Sequence, residues 1–131
     1  MSDDPSESMG RRLLVVDDEP HILRVLTTTF EKHGFSVLTA MDGTEALARF
    51  AEGGVDLVML DLMMPGTSGL EVLSVIRAAP ERSDTPVVIL TAKGQDTDRE
   101  AAFAGGADDF ITKPFSPKKL IARVEEILAQ R

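Results

Sequence analysis

Five short apolar runs, separated by segments of helical length, constrain this chain more than any other feature. They are "RLLVV" (12–16), "FSVLT" (35–39), "VDLVML" (55–60), "PVVIL" (86–90) and "DDFIT" (108–112). Three are nearly unbroken stretches rich in Val, Ile and Leu. A sheet with one wet face alternates apolar and polar residues. Unbroken runs suit parallel strands covered on both faces.

The intervening segments carry helical signals. "PHILRVLTTTFEKHG" opens with Pro20, at a first-turn position that proline tolerates. Its Ile22, Leu26 and Phe30 share one face, and Gly34 stops it. "DGTEALARFAEGG" has Asp42 as cap, Leu47 and Phe50 as its apolar residues, and a Gly53–Gly54 stop. "SGLEVLSVIRAAP" carries Leu70, Leu73 and Ile76 and ends at Pro80. "DTDREAAFAGG" has only Phe103 as a bulky apolar residue and reads as a marginal helix. "SPKKLIARVEEILAQR" has Ser116 as N-cap, Pro117 at the first position and a stripe of Leu120, Val124, Ile127 and Leu128.

Strand followed by helix, five times over, predicts an α/β fold with helices on both faces of a parallel sheet. For 131 residues the expected arrangement is flavodoxin-like: a doubly wound five-stranded parallel sheet, order 2-1-3-4-5, with five helices. Residues 1–11 read as a disordered acidic tail, and 12–131 as one domain.

Composition then excludes whole classes. With no cysteine there is no disulfide framework, thiolate metal site or cysteine nucleophile. A net charge of −8 argues against gripping nucleic acid or an anionic membrane. No apolar run approaches the roughly 18–20 residues of a membrane span. The start, "MSDDPSESMG", lacks the basic and apolar regions of a signal peptide, so a cytoplasmic location is expected.

Parallel strands share one carboxyl edge, so the residues just past each strand meet there. Strand 1 delivers Asp17 and Asp18, strand 3 Asp61, strand 4 Thr91 and strand 5 Lys113 with Pro114 after it. The crevice of this topology lies between strands 1 and 3, where the three acids arrive. Like charges packed together call for a cation. A set of hard oxygen donors favours Mg²⁺, with Mn²⁺ as an acceptable substitute. A metal pocket with one Lys and one Thr suits a phosphoryl group on a carboxylate, and Asp61 is the best acceptor.

Each residue alone has a plainer reading. Asp18, Glu19 and Pro20 could simply start a helix, Asp61 could cap a turn, Thr91 is a good strand residue, and Lys113 resembles a surface lysine. His21 and His33 read as surface residues of the first helix. Joint placement on one edge is what favours a site.

Taken together, "VVDDEP", "LDLMMPGTSG", "ILTAK" and "GADDFITKPFSP" resemble the receiver domain of bacterial two-component response regulators across residues 12–131. The resemblance implies that Asp61 accepts a phosphoryl group from the phosphohistidine of a sensor histidine kinase or phosphotransfer protein. It implies that Asp17, Asp18, Asp61 and the Met63 backbone carbonyl hold Mg²⁺. Lys113 would pair with the phosphoryl group, and Thr91 would bond one of its oxygens. Phe110 would turn inward as Thr91 moves, and Ala92 would leave access to the site. The Lys113–Pro114 bond would be cis. In the family this chain resembles, the places that Met63 and Lys93 occupy influence phosphoryl hydrolysis. The domain would catalyse only its own phosphorylation and dephosphorylation, and would switch the surface of helix 4, strand 5 and helix 5 for an output domain or effector protein. It would not touch nucleic acid or membrane, and would be a monomer or a weak phosphorylation-dependent dimer.

Some positions depart from the family's commonest pattern. Phe110 is often Tyr there, so here the switch must work by packing alone. Of three ion pairs that tie two receivers together in one subfamily, Asp109 and Arg123 keep one. Lys119 would face Arg99 with like charge, and Ala104 with Glu125 cannot pair. Two other functions share parts of this pattern. Phosphotransferases of the haloacid dehalogenase type place their nucleophile after strand 1 in a D-x-D pattern, whereas this chain has "DDEP". A flavodoxin needs a hydroxyl- and glycine-rich loop there and aromatic residues around its flavin, and this chain has neither Trp nor Tyr. A pseudo-receiver would lack part of the site set.

Overall fold

A computed structural model of the chain describes residues 10–92 and 96–130. Of the sequence expectations, most of the tail and Lys93 lie outside these residues. The elements run β1 (Arg12–Val16), α1 (Pro20–Glu31), β2 (Ser36–Ala40), α2 (Gly43–Ala51), β3 (Leu57–Leu60), α3 (Gly69–Ala78), β4 (Val87–Thr91), α4 (Asp96–Ala104), β5 (Asp109–Thr112) and α5 (Pro117–Ala129). All pairings are parallel and the strand order is β2-β1-β3-β4-β5, as the strand–helix alternation predicts.

Strand parity divides the core, because successive side chains point to opposite faces. Leu13, Val15, Leu57, Met59, Val88 and Leu90 pack with Leu26 and Phe30 of α1 and with Leu120 and Val124 of α5. Leu14, Val16, Val58, Leu60, Val87 and Ile89 pack with Phe50 of α2 and with Val72, Leu73 and Ile76 of α3. β3 and β4 are buried along their whole length, which is why their sequences are unbroken apolar runs. β2, at one sheet edge, is only partly buried. Each fully buried Leu or Phe contributes roughly 1.5–3 kcal/mol from removal of its surface from water.

The helices start where the sequence signals them. Asp42 accepts a hydrogen bond from the Glu45 amide, and Ser116 from the Lys119 amide. Ser68 and Glu71 form a reciprocal capping box at α3. Two stripe assignments need correction. Leu70 is exposed, and Val72 joins Leu73 and Ile76 in the core instead. Phe103, the bulky residue of α4, is also exposed, and Ala102 is the residue α4 buries.

Far from the strands' carboxyl edge, Arg77 at the end of α3 ties two loops together. Its guanidinium donates to the carbonyls of Ser83, Thr85 and Gly106 and pairs with Asp108 at 3.0 Å.

Candidate functional site

The hydrogen-bond ladder continues one residue past three strands, and this fixes where the polar side chains begin. The Asp17 amide donates to the Ala40 carbonyl (3.0 Å), the Asp61 amide to that of Val16 (3.0 Å) and the Lys113 amide to that of Thr91 (2.9 Å). Asp17, Asp61 and Lys113 share the parity of Val15, Met59 and Ile111, so all three leave the sheet edge on the α1/α5 side. Thr91 has the opposite parity and stands on the side of α2, α3 and α4.

The two acids use one local device. Asp17 Oδ1 accepts from the Glu19 amide (2.9 Å), and Asp61 Oδ1 accepts from the Met63 amide (3.0 Å). These are turns in which a carboxylate bonds the backbone two residues on. Each acid then has its second oxygen available to face Lys113. The Lys113 ammonium lies 2.7 Å from Asp17 Oδ2, 3.3 Å from Asp61 Oδ2 and 3.0 Å from Glu19 Oε1. Asp17 and Asp61 are buried, Asp18 is half-buried, and oxygens of all three lie within 4.8 Å of one another.

Among the described residues, four carboxylates and one ammonium therefore share this corner of the sheet. Burial raises the pKa of Asp17 above the ordinary aspartate value. The hydrogen bonds from Lys113 and the Glu19 amide oppose that rise without cancelling it. Burial acts to lower the pKa of Lys113, but hydrogen bonds to Asp17 and Glu19 and the charge of Asp61 overcome it, so the ammonium holds its proton more tightly than a free lysine. The Glu19 carboxyl is lowered, chiefly by its hydrogen bond to Lys113.

An oxygen-only donor set with excess negative charge fits a hard divalent cation such as Mg²⁺. A second observation points to a ligand. Thr91 is fully buried, and its Oγ1 has no hydrogen-bond partner among the described residues. A buried hydroxyl without a partner typically costs about 1–3 kcal/mol, so a strand-end Thr left in this state is suited to meet something that arrives.

A helix does start at Asp18, Glu19 and Pro20, but the acids there also serve the site. The cap position of α1 is Glu19, whose side chain makes no capping bond and reaches Lys113 instead. Sequence reasoning missed Glu19 as a site residue. The one available signal was that Glu is a poor N-cap, so its presence before Pro20 asked for another explanation. Met63 presents its amide to Asp61, and its side chain is exposed. Ala92 is exposed beside the site, and the Lys113–Pro114 peptide is cis. Phe110 is buried, with the Arg99 guanidinium 5.7 Å from its ring centroid. Asp109 and Arg123 pair at 2.7 Å, while Arg99 turns toward the rings of Phe103 and Phe110. His21 is exposed on α1, and His33 is exposed in the turn that follows the helix rather than on the helix itself.

A doubly wound sheet with three acids, a lysine and a threonine on its carboxyl edge defines a class, and comparison with known proteins agrees. The family model described as the response regulator receiver domain matches residues 13–125, and this chain belongs to that family. It is 45% identical over 117 residues to the transcriptional regulatory protein ResD of Bacillus subtilis (strain 168), covering 89% of this chain and 48% of ResD. It is 42% identical over 120 residues to the phosphate regulon transcriptional regulatory protein PhoB of Escherichia coli (strain K12), covering 92% of this chain and 52% of PhoB. The chain thus spans about half the length of these relatives. Among solved structures, the BeF3-activated DrrB receiver domain matches with a TM-score of 0.82 and 34% identity, over 92% of this chain and 98% of that one. A CheY-like receiver domain protein from Methanospirillum hungatei JF-1 matches with a TM-score of 0.87 and 27% identity, over 92% and 94%. Among the described residues, no helix is long and apolar enough to cross a membrane.

Proposed function

We propose that residues 12–131 form the receiver unit and that Asp61 is its phosphoacceptor. In the reaction, an Asp61 carboxylate oxygen attacks the phosphorus of a phosphohistidine on a sensor histidine kinase or phosphotransfer protein. The P–N bond breaks, its electron pair stays on the imidazole, and an acyl phosphate forms on Asp61. The supporting observation is the bridge made by Lys113, one ammonium within 3.3 Å of both Asp17 and Asp61. A cation so placed can stabilise the charge on a transferring phosphoryl group.

Asp17, Asp18, Asp61 and the Met63 carbonyl would hold Mg²⁺ or Mn²⁺, which when bound supplies positive charge for the same oxygens. Asp61 is held ready by the Met63 amide, and Thr91 offers its hydroxyl to a phosphoryl oxygen. Ala92, small and exposed, leaves the entrance open. Movement of Thr91 would draw Phe110 inward and change the face made by α4, β5 and α5 for an output domain or effector protein. The chain acts on no other substrate in this reading. Its place is the cytoplasm, as a monomer or weak phosphorylation-dependent dimer, without contact to nucleic acid or membrane.

Incubation with acetyl phosphate and Mg²⁺ tests this. Intact mass should rise by one phosphoryl group, and Asp61→Asn should remove the rise. A single phosphoryl adduct persisting in that variant would place the acceptor elsewhere. Removal of residues 1–10 should leave Mg²⁺ affinity unchanged, and a large loss would show that the tail belongs to the site.

A further inference from the structure

We infer that Glu19 is a positioning residue that holds Lys113 at rest and competes for it with the phosphoryl group on Asp61; this rests on the phosphoacceptor reading above. A lysine ammonium has three donors. Here three carboxylates take them, and the proposed acceptor has the longest contact: 2.7 Å to Asp17, 3.0 Å to Glu19 and 3.3 Å to Asp61.

Glu19 differs from the other two in every respect that matters. Its side chain is 48% exposed, against 2% for Asp17 and 6% for Asp61. It has no capping duty, although it occupies the cap position of α1. Its backbone is nevertheless fixed, because its amide donates to Asp17 Oδ1 and the next residue is Pro20. The carboxylate therefore reaches Lys113 from an anchored point.

The metal cluster adds the deciding asymmetry. Asp17 and Asp61 belong to the group of oxygens that could share a cation, and Glu19 does not. A divalent ion offsets the charge of the first two and so loosens their claim on Lys113. The claim of Glu19 is untouched. When a phosphoryl group arrives with its own oxygens to be bonded, Glu19 is the rival that remains. Neutralising Glu19 should free the ammonium and speed acyl phosphate formation. Because Glu19 is half exposed, solvent screening keeps the effect modest.

The test is a two-by-two comparison in the full chain, with saturating Mg²⁺ and acetyl phosphate and intact mass as the readout. Glu19→Gln should form the adduct about two- to fivefold faster than the native chain. In a Lys113→Ala background (or Lys113→Met, should the first fold poorly) the same change should have no effect on the rate. Equal acceleration in both backgrounds would show that Glu19 merely repels the anionic donor, and would overturn the inference. An unchanged or slower rate in the single variant would overturn it too. A native chain that gains no phosphoryl group would sink the phosphoacceptor reading first, and the inference with it.

Discussion

Thr91 and Phe110 lie on the same face of the sheet, on neighbouring strands and one step apart. Ile89 is the direct partner of Phe110, and Thr91 is the next β4 residue of that parity. No other element of the sheet separates the two positions. The Thr91 hydroxyl is buried and without a partner among the described residues. Thr91→Val should therefore stabilise the unmodified protein by about 1 kcal/mol, read as a higher midpoint in urea. The same variant should take up phosphoryl groups more slowly. A loss of stability would mean that the hydroxyl is satisfied in solution.

Asp17 makes the site costly at neutral pH. Its folded-state pKa lies above the ordinary 3.8, because burial penalises its charge more than Lys113 relieves it. The folded state then binds the proton more tightly than the unfolded state. Stability should fall as pH rises from about 3.8 through the folded pKa, and the cost is complete above it. In chelator at about pH 7, Asp17→Asn should therefore be more stable than the native chain. At about pH 3, below the unfolded value, Asp17 is protonated in both states and the gap between the two chains should close. Denaturant titrations at the two pH values check this.

Lys113 offsets part of the charge that a divalent ion would offset. Lys113→Met should destabilise the metal-free protein, since it strands two buried acids. It should also enlarge the rise in melting temperature on adding Mg²⁺. Scanning calorimetry with and without the ion decides it; a smaller response to Mg²⁺ would show that the lysine helps to form the metal site.

The loop after Asp61 closes through a glycine. A Cβ on Gly69 would strike the Asp61 carbonyl oxygen and lie 2.7 Å from the Leu62 Cα, both backbone atoms that cannot step aside. Gly69→Ala should cost about 1–3 kcal/mol and lower the rate of phosphoryl uptake together with stability. Alanine tolerated without loss of either would mean that the loop has room to relax.

Much of this architecture is legible in the order of residues alone. The apolar runs fall within two residues of the strands they foretell, because strands buried on both faces leave little choice of residue. The meeting of Asp17, Asp61 and Lys113 is a consequence of the shared edge of parallel strands. The reach of Glu19 is not, since it depends on a side-chain direction set by the turn at Asp17. α3 misleads for a different reason. It is apolar on more than one side, with Leu70 and Val75 exposed opposite Val72, Leu73 and Ile76, so periodicity alone could not select the buried face. In α4 the small Ala102 meets the sheet, and bulk is a poor guide to burial.

The Arg77 clamp bears on how a signal can travel. It grips the Gly106 carbonyl and Asp108, just past the C-terminal end of α4. A helix pinned at its tail cannot slide along the sheet when its other end is pushed; it can only tilt about the pin. The clamp would make α4 a lever, with the arginine as its fulcrum, so that a small shift beside Thr91 becomes a change of angle on the outer surface rather than a general loosening.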